Sequence, residues 1–353
     1  MNAILMPVSP VAPVPSTATP DTLTLVTPRK RRTGSAVPLV RTADLSRDAW
    51  LQVRRGGIGG SDAAAAVGLN PYKSQLELWL EKTGRDEHLP QPDPHDMSSP
   101  MYWGTALESL VAHQYSHQTG RQVRRVNAVL QHPQEPWMIV NLDREVIGSP
   151  EVQILECKTA GLNGARLWRD GVPEYVQLQV MHQLAVTGHQ AADVAVLICG
   201  QEMQVHRIER DETMIAQLIE LERQFWSWVE RDQPPPADGS ESAATALQCL
   251  YPRDNGQRLD LSADTELCEV FEELVSLRRS LDSDNERESE LRQRIQQRMG
   301  DATKAVFATG EVSWKRSKDS ARLDADRLLK DQPELLQRYP QIRSGSRRFL
   351  VRT

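Results

Sequence analysis

Three consecutive prolines, Pro234-Pro235-Pro236, limit what this chain can fold into more than any other feature. None of them donates a backbone hydrogen bond, and each forces its predecessor into extended backbone, so neither a helix nor an inner strand runs through them. The sequence on the two sides is of different kinds. Before the prolines, from about residue 40 to 232, short apolar runs of strand period alternate with helical patterns. After them comes a heptad stripe, Leu267, Val270, Leu274, Leu277 and Leu281, which turns polar at Asp284 and Glu288 and resumes at Leu291, Ile295 and Met299. The spacing predicts one long amphipathic helix or a helical hairpin. Short strands at 305–308 and 311–315, a helix over 324–338 and a last strand at 348–351 should follow it. The stripe is read either as packing on these strands or as a surface for a protein partner.

The domains expected are a tail over 1–38, a mixed α/β domain over 39–232, a linker over 233–245 and an α+β extension over 246–353. The tail is rich in Pro, Thr, Ser and Val and carries Arg29-Lys30-Arg31-Arg32; no period survives its prolines, which predicts disorder. In the α/β part the patterns predict helices over 63–67, 74–83, 105–120, 174–188 and 212–230. They predict strands near 122–131, 137–147, 151–158, 192–199 and 201–210.

Two of those strands carry the chemistry. Glu156 and Lys158 are i and i+2 on the segment 151–159, so the carboxylate and the ammonium project from one face. Asp143 ends the run Trp137-Met-Ile-Val-Asn-Leu-Asp143, and Gly148-Ser149-Pro150 suits a turn that brings Asp143 beside Glu156. Carboxylates at this spacing suit hard divalent cations, which take oxygen ligands and keep several waters. Asp143, Glu156 and the Cys157 carbonyl are the candidate donors, with Glu108 as a further carboxylate. Lys158 would position or deprotonate an attacking water, and the field of the cations is expected to lower its pKa. That is the equipment of metal-assisted phosphodiester cleavage, in which two ions roughly 4 Å apart activate the nucleophile and steady the leaving oxygen.

Other residues fit around this set. Glu108 is expected near the start of a helix, and Gln177 and Gln179 stand on another helix among apolar neighbours, where a long amide seeks a specific partner. Arg54 and Ser61 flank a Gly-rich turn before a helix, which together make a phosphate grip.

The formal net charge of −6 is unfavourable for a DNA enzyme, although arginines cluster at 54–55, 121–125 and 343–348. No apolar run reaches the roughly 20 residues of a membrane helix. The N-terminal prolines do not read as a secretory signal. Four cysteines lie far apart with no Cys-x-x-Cys, which excludes a disulfide scaffold or zinc finger and points to reduced thiols in a cytoplasm.

The series Trp50-Leu-Gln-Val-Arg54, Gly60-Ser61-Asp62, Trp103-Gly104, Glu108, Asp143, Glu156-x-Lys158 and Tyr175-x-Gln177-x-Gln179 runs in unbroken order. It resembles the YqaJ-like viral recombinase family, which includes the phage lambda exonuclease type, within the PD-(D/E)XK nuclease superfamily. His182 to Gly188 extends the likeness, which covers about residues 45–232; residues 247–351 look like the C-terminal extension of many phage members. The resemblance implies a restriction-endonuclease-like core, with a mixed central sheet flanked by helices.

It further implies a Mg²⁺-dependent exonuclease (Mn²⁺ being an alternative, and the ions being two) that resects linear duplex DNA from the 5′ end in phage-type recombination. A ring-like homo-oligomer and a single-strand annealing protein as partner belong to the same expectation, in a bacterial host or phage-infected cell. By motif, Glu108, Asp143 and Glu156 would be metal ligands, Lys158 the catalytic lysine, and Gln177 a supporting residue. Arg54 and Ser61 would hold the phosphate. Cys157 departs from the usual aliphatic residue, but only its carbonyl is needed. Two other readings remain: a structure-selective or restriction-type endonuclease on the same core, and a non-catalytic recombination scaffold.

Overall fold

The computed structural model describes residues 36–43, 45–90, 93, 95–341, 345 and 347–352. Of the tail read over 1–38, residues 1–35 lie outside the described residues, with the basic cluster at 29–32. Val37 and Pro38 already belong to the first strand, β1 (Val37–Arg41). Helices α1 (Arg47–Arg55), α2 (Ala63–Ala66) and α3 (Gln75–Lys82) follow. The first and third are capped by Ser46 and Ser74, whose hydroxyls accept from backbone N–H groups three residues on.

Helix α4 (Pro100–Thr119) starts five residues before its expected position. Pro100, which reads as loop punctuation, instead opens the helix at the position where a missing N–H costs nothing. Glu108 therefore sits in the third turn rather than the first.

The runs 122–131 and 137–147 each divide between two sheets. Strands β2 (Gln122–Arg124) and β3 (Ala128–Gln131) part company, as do β4 (Ile139–Val140) and β5 (Arg144–Ile147). Next come β6 (Ile154–Ala160), α5 (Glu174–Thr187), β7 (Ala191–Ile198), β8 (Glu202–Glu209) and α6 (Glu212–Glu230). The main sheet has the order β2-β5-β6-β7-β8 and a smaller one the order β1-β3-β4. Only the β6–β7 pair of the main sheet is parallel, with α5 as its crossover; the others are antiparallel. This is the mixed sheet flanked by helices expected of a PD-(D/E)XK core.

Alternation along β6 sorts its side chains. Leu155 and Cys157 turn to the face covered by α4, where Val111, Ala112 and Tyr115 are buried. Ile154 lies in the larger core with Val176, Val180 and Leu184 of α5. Gly57 lets the chain enter this core: a Cβ there would meet the Trp137 carbonyl at 2.6 Å. The same approach places the Ile58 N–H 2.7 Å from that oxygen.

Inside the core, fully buried His182 meets fully buried Glu222 at 2.8 Å and the Ile139 carbonyl at 3.0 Å. Burial lowers the imidazole pKa, but the Glu222 carboxylate and these hydrogen bonds outweigh it, and the net shift is upward. Such a group contributes stability that is complete below its unfolded value near 6.5 and is lost as pH rises through the folded value. Melting curves at rising alkaline pH should therefore show wild type losing stability, and His182→Leu should lack this component. A variant with the wild-type pH slope would refute the assignment.

A further helix, α7 (Glu241–Leu250), lies past the three prolines and packs against α3. Ala243 and Ala246 are buried, and the Ser242 hydroxyl accepts from the Ser74 N–H at 2.8 Å while donating to Glu77 at 2.5 Å. The chain accordingly divides between Leu250 and Tyr251, where the sequence places a linker over 233–245 and an extension from 246.

The second unit contains α8 (Thr265–Met299), a single uninterrupted helix of 35 residues, so the helical-hairpin alternative does not form. Strands β9 (Lys304–Phe307) and β10 (Gly310–Ser313) make a hairpin. The helix expected over 324–338 is two, α9 (Ala325–Asp331) and α10 (Glu334–Arg338). Pro333 separates them by pushing Gln332 out of helical backbone, to φ −137 and ψ 71. The strand expected at 348–351 is irregular backbone in the structure. No described helix is long and apolar enough to cross a membrane.

Candidate active site

The site lies along β6, where the hairpin from β5 meets the face covered by α5. Arg144 pairs with Leu155 and Glu145 with Ile154, so the antiparallel register carries Asp143 opposite Glu156. The Cys157 N–H donates to Asp143 Oδ2 at 2.8 Å and fixes that carboxylate. Burial first, and then the Glu156 carboxylate, push Asp143 up to about 8, against the pull of this N–H and of Lys158. The Cys157 thiol is likewise pushed up by burial and by both carboxylates, which leaves it a neutral, inert thiol.

Glu156 is only 3% exposed and is held on both oxygens. Lys158 Nζ donates to Oε1 at 2.7 Å, Gln179 Nε2 to the same oxygen at 2.6 Å, and Gln183 Nε2 to Oε2 at 2.6 Å. Lys158 also donates to Gln179 Oε1 at 2.9 Å. Burial lowers the Lys158 pKa, yet Glu156 and Asp143 outweigh it and the net shift is upward. The lowering expected of Lys158 belongs to the field of bound cations; as the structure stands, Lys158 is a hydrogen-bond donor placed to orient a water.

Two expected residues stand elsewhere. Gln177, one step round α5 from the site face, donates to the Val172 carbonyl at 2.6 Å. The amides that reach the carboxylate are Gln179 and Gln183, and of these only Gln179 stood out in the sequence. The period of 3.6 places 179 and 183 on one face and 177 off it, a signal that was available. Glu108 on α4 is ion-paired: the Arg144 guanidinium meets its Oε1 at 2.5 Å and Arg125 approaches to 3.6 Å. Arg144, a buried residue, also donates to the Asp143 carbonyl at 2.6 Å and so ties α4 to the start of β5. Nothing in the sequence marks Arg144, because its partner lies 36 positions away.

Arg54 and Ser61 do meet. Arg54 Nη2 donates to the Ser61 hydroxyl at 2.8 Å and to Asp62 Oδ1 at 2.9 Å, and its guanidinium lies 5.0 Å from the Trp50 ring centre. Asp62 joins two cations, since Lys82 Nζ reaches its other oxygen at 2.7 Å. Burial raises the Asp62 pKa, but Arg54 and Lys82 together hold it far below the usual carboxylate range. The turn seats against α5 through Gly60, whose missing side chain leaves room beside Gln183 and Gln179. A cleft of about 540 Å³ opens beside this cluster, with Arg47, Trp50, Arg54, Arg55 and Lys73 in its wall.

The donor chemistry fits a hard divalent cation. Asp143, Glu156 and the Cys157 carbonyl offer oxygen only, and the repulsion between two neighbouring carboxylates is relieved by a divalent cation between them. The fit is open rather than closed. Among the described residues, no three His, Cys, Asp or Glu side chains converge tightly enough to hold an ion by themselves. Waters and backbone oxygen would complete the coordination, as hard cations accept.

Comparison with known proteins bears on these same residues. The sequence pattern of the YqaJ-like viral recombinase domain matches residues 49–190, which include Arg54, Ser61, Glu108, Asp143, Glu156, Lys158 and Gln179. The YqaJ protein of Bacillus subtilis (strain 168) is 34% identical over 321 residues, covering 89% of this chain and 97% of its own. Among solved structures, an alkaline exonuclease (LHK-Exo) from Laribacter hongkongensis is 22% identical with a TM-score of 0.43, over 52% of this chain and 93% of its own. A phage-related exonuclease from Haemophilus somnus 129PT is 9% identical with a TM-score of 0.36, over 52% and 97%. With more than a third of positions shared along nearly the whole of a YqaJ protein, this chain belongs to the YqaJ-like viral recombinase family.

Proposed function

We propose that this protein is a Mg²⁺-dependent deoxyribonuclease that degrades one strand of linear duplex DNA from the 5′ end during recombination. The observation that carries the reading is Asp143 set opposite Glu156 by strand register, with the Lys158 ammonium 2.7 Å from Glu156. Asp143, Glu156 and the Cys157 carbonyl would hold the metal; Mn²⁺ takes the same oxygen donors. When bound, divalent ions supply the charge that in-line attack on a phosphodiester needs. The Lys158 ammonium would donate a hydrogen bond that orients the attacking water, and Gln179 fixes both Lys158 and Glu156. Glu108 reaches the donor set only by giving up its pairing with Arg144. Arg54 and Ser61 receive a phosphate from the open side of the Gly-rich turn. A ring-like homo-oligomer, a single-strand annealing partner and a cytoplasmic setting in a bacterial host or infected cell complete the proposal on family grounds.

The test compares 5′-phosphorylated linear duplex with closed circular DNA, each with and without Mg²⁺. Metal-dependent loss of the linear form alone supports the exonuclease. Cutting of the circle would replace it with an endonuclease on the same core. No loss of either DNA would favour a non-catalytic recombination scaffold.

A further inference from the structure

Lys82 of α3 is a buried cation that the chemistry above does not use. Taking an ammonium out of water is costly unless it is paired and hydrogen-bonded. Both of its hydrogen bonds lead to Arg54. Nζ donates to the Arg54 carbonyl at 2.9 Å and to Asp62 Oδ2 at 2.7 Å, and Asp62 Oδ1 accepts from Arg54 Nη2 at 2.9 Å. Lys82 thus grips Arg54 by its backbone and, through a carboxylate, by its guanidinium. The Gly59 N–H donates to Asp62 Oδ2 at 3.1 Å and holds that carboxylate on the Gly-rich turn. We propose that Lys82, acting through Asp62, is a positioning residue that sets Arg54 to receive the terminal phosphate of a DNA strand, an inference that rests on reading Arg54 and Ser61 as the phosphate grip.

Geometry and charge both fit that role. Among the described residues, the side-chain hydrogen bonds of Arg54 all leave from Nη2, to Ser61 and Asp62. The donors on Nε and Nη1 are left for an anion, and the side chain stays 26% exposed beside the cleft. Of the other cations in the cleft wall, Arg55 is matched by Asp86 at 2.8 Å and Lys73 by Glu81 at 2.5 Å. Asp62 instead serves Arg54 and Lys82 together, so that cluster holds one positive charge in excess. A terminal phosphate carries about −1.5 to −2 charges at neutral pH and an internal phosphodiester about one, so the excess favours the strand end. Without Lys82, Arg54 would lose its backbone anchor and would also be neutralised by Asp62.

The test is the affinity of the full chain for short blunt duplexes ending in a 5′-phosphate or a 5′-hydroxyl, measured by fluorescence anisotropy in chelator, with thermal melting of each variant. Wild type should prefer the phosphorylated end, and Arg54→Ala should erase the preference. Lys82→Met should weaken binding of the phosphorylated end, relative to the hydroxyl end, about ten- to a hundredfold, the scale of a hydrogen bond to a charged group. In an Arg54→Ala background it should weaken that binding no further, because Lys82 then has nothing left to position. Should Lys82→Met fail to melt cooperatively, Asp62→Asn takes its place; it keeps the shape, removes the charge and should show the same loss. A folded variant of either kind with the wild-type preference overturns the positioning role and leaves Arg54 its own. Equal losses with and without Arg54 reveal a general structural effect and also overturn it. A wild type indifferent to the 5′-phosphate, or an Arg54→Ala protein that keeps the preference, removes the phosphate grip itself and the proposal with it.

Discussion

Lys158→Ala is expected to lower the metal-dependent degradation of linear duplex DNA at least a hundredfold, the usual scale for a positioned proton-bearing group. The ammonium is the only side chain in the site that donates to both Glu156 and Gln179. Without it Glu156 keeps only neutral amide donors, and the water loses its orienting charge. Two companion variants separate chemistry from folding. Gln179→Leu should cost on the order of tenfold or more, as loss of a group that orients a metal ligand usually does. Gln177→Leu removes an amide that bonds only the Val172 carbonyl and should change turnover little. Rates are read against thermal melting of each variant. A Lys158→Ala protein that is folded and fully active would remove Lys158 from the chemistry altogether.

The second large effect is on stability. Asp62 is 5% exposed and carries both Arg54, at 2.9 Å, and Lys82, at 2.7 Å. Taking away one member of a buried charged set leaves the others uncompensated, which costs roughly 3–5 kcal/mol. Asp62→Ala is therefore expected to lose about that much in urea unfolding, because the Lys82 side chain is only 4% exposed. The pH sign follows from the lowered carboxylate pKa. The contribution of Asp62 is complete above its unfolded value near 3.9 and is lost only as pH falls through the much lower folded value. Wild type and variant should thus differ by a constant amount at neutral pH and converge only in strongly acid solution. A difference under about 1 kcal/mol at pH 7, the scale of an exposed pair, would show that the cluster is solvated.

What the sequence could disclose depended on how local each relation was. Glu156 and Lys158 share a strand face because the period of a strand is two. The turn at Gly148 sets the hairpin register, and Arg54 reaches Ser61 within one helix and its exit loop. Those placements need no knowledge of the rest of the chain. Arg144, Lys82 and Gln183 act on partners 20 to 36 positions away, and only the packing of α3, α4 and α5 on the sheet selects them. Element edges failed where proline was misjudged. Pro38 sits in an edge strand beside a register shift, Pro100 opens a helix, and Pro333 splits one. The helix α7 was hidden because its contact face is built from Ala243, Ala246 and Ser242, small residues that give a weak apolar period but fit closely against α3.

That close fit redraws the modular boundary of the protein. The three prolines look like the place to cut, yet the segment just beyond them completes the hydrophobic cover of α3 and satisfies the Ser74 N–H. A polypeptide ending at 236 would emerge from the ribosome with an open wound on the catalytic half, a substrate for chaperones and proteases. One ending at Leu250 would be whole. Gene fusion, natural fragmentation and limited proteolysis should all respect the later point, so that the inherited catalytic module extends through the prolines to the end of the helix that follows them.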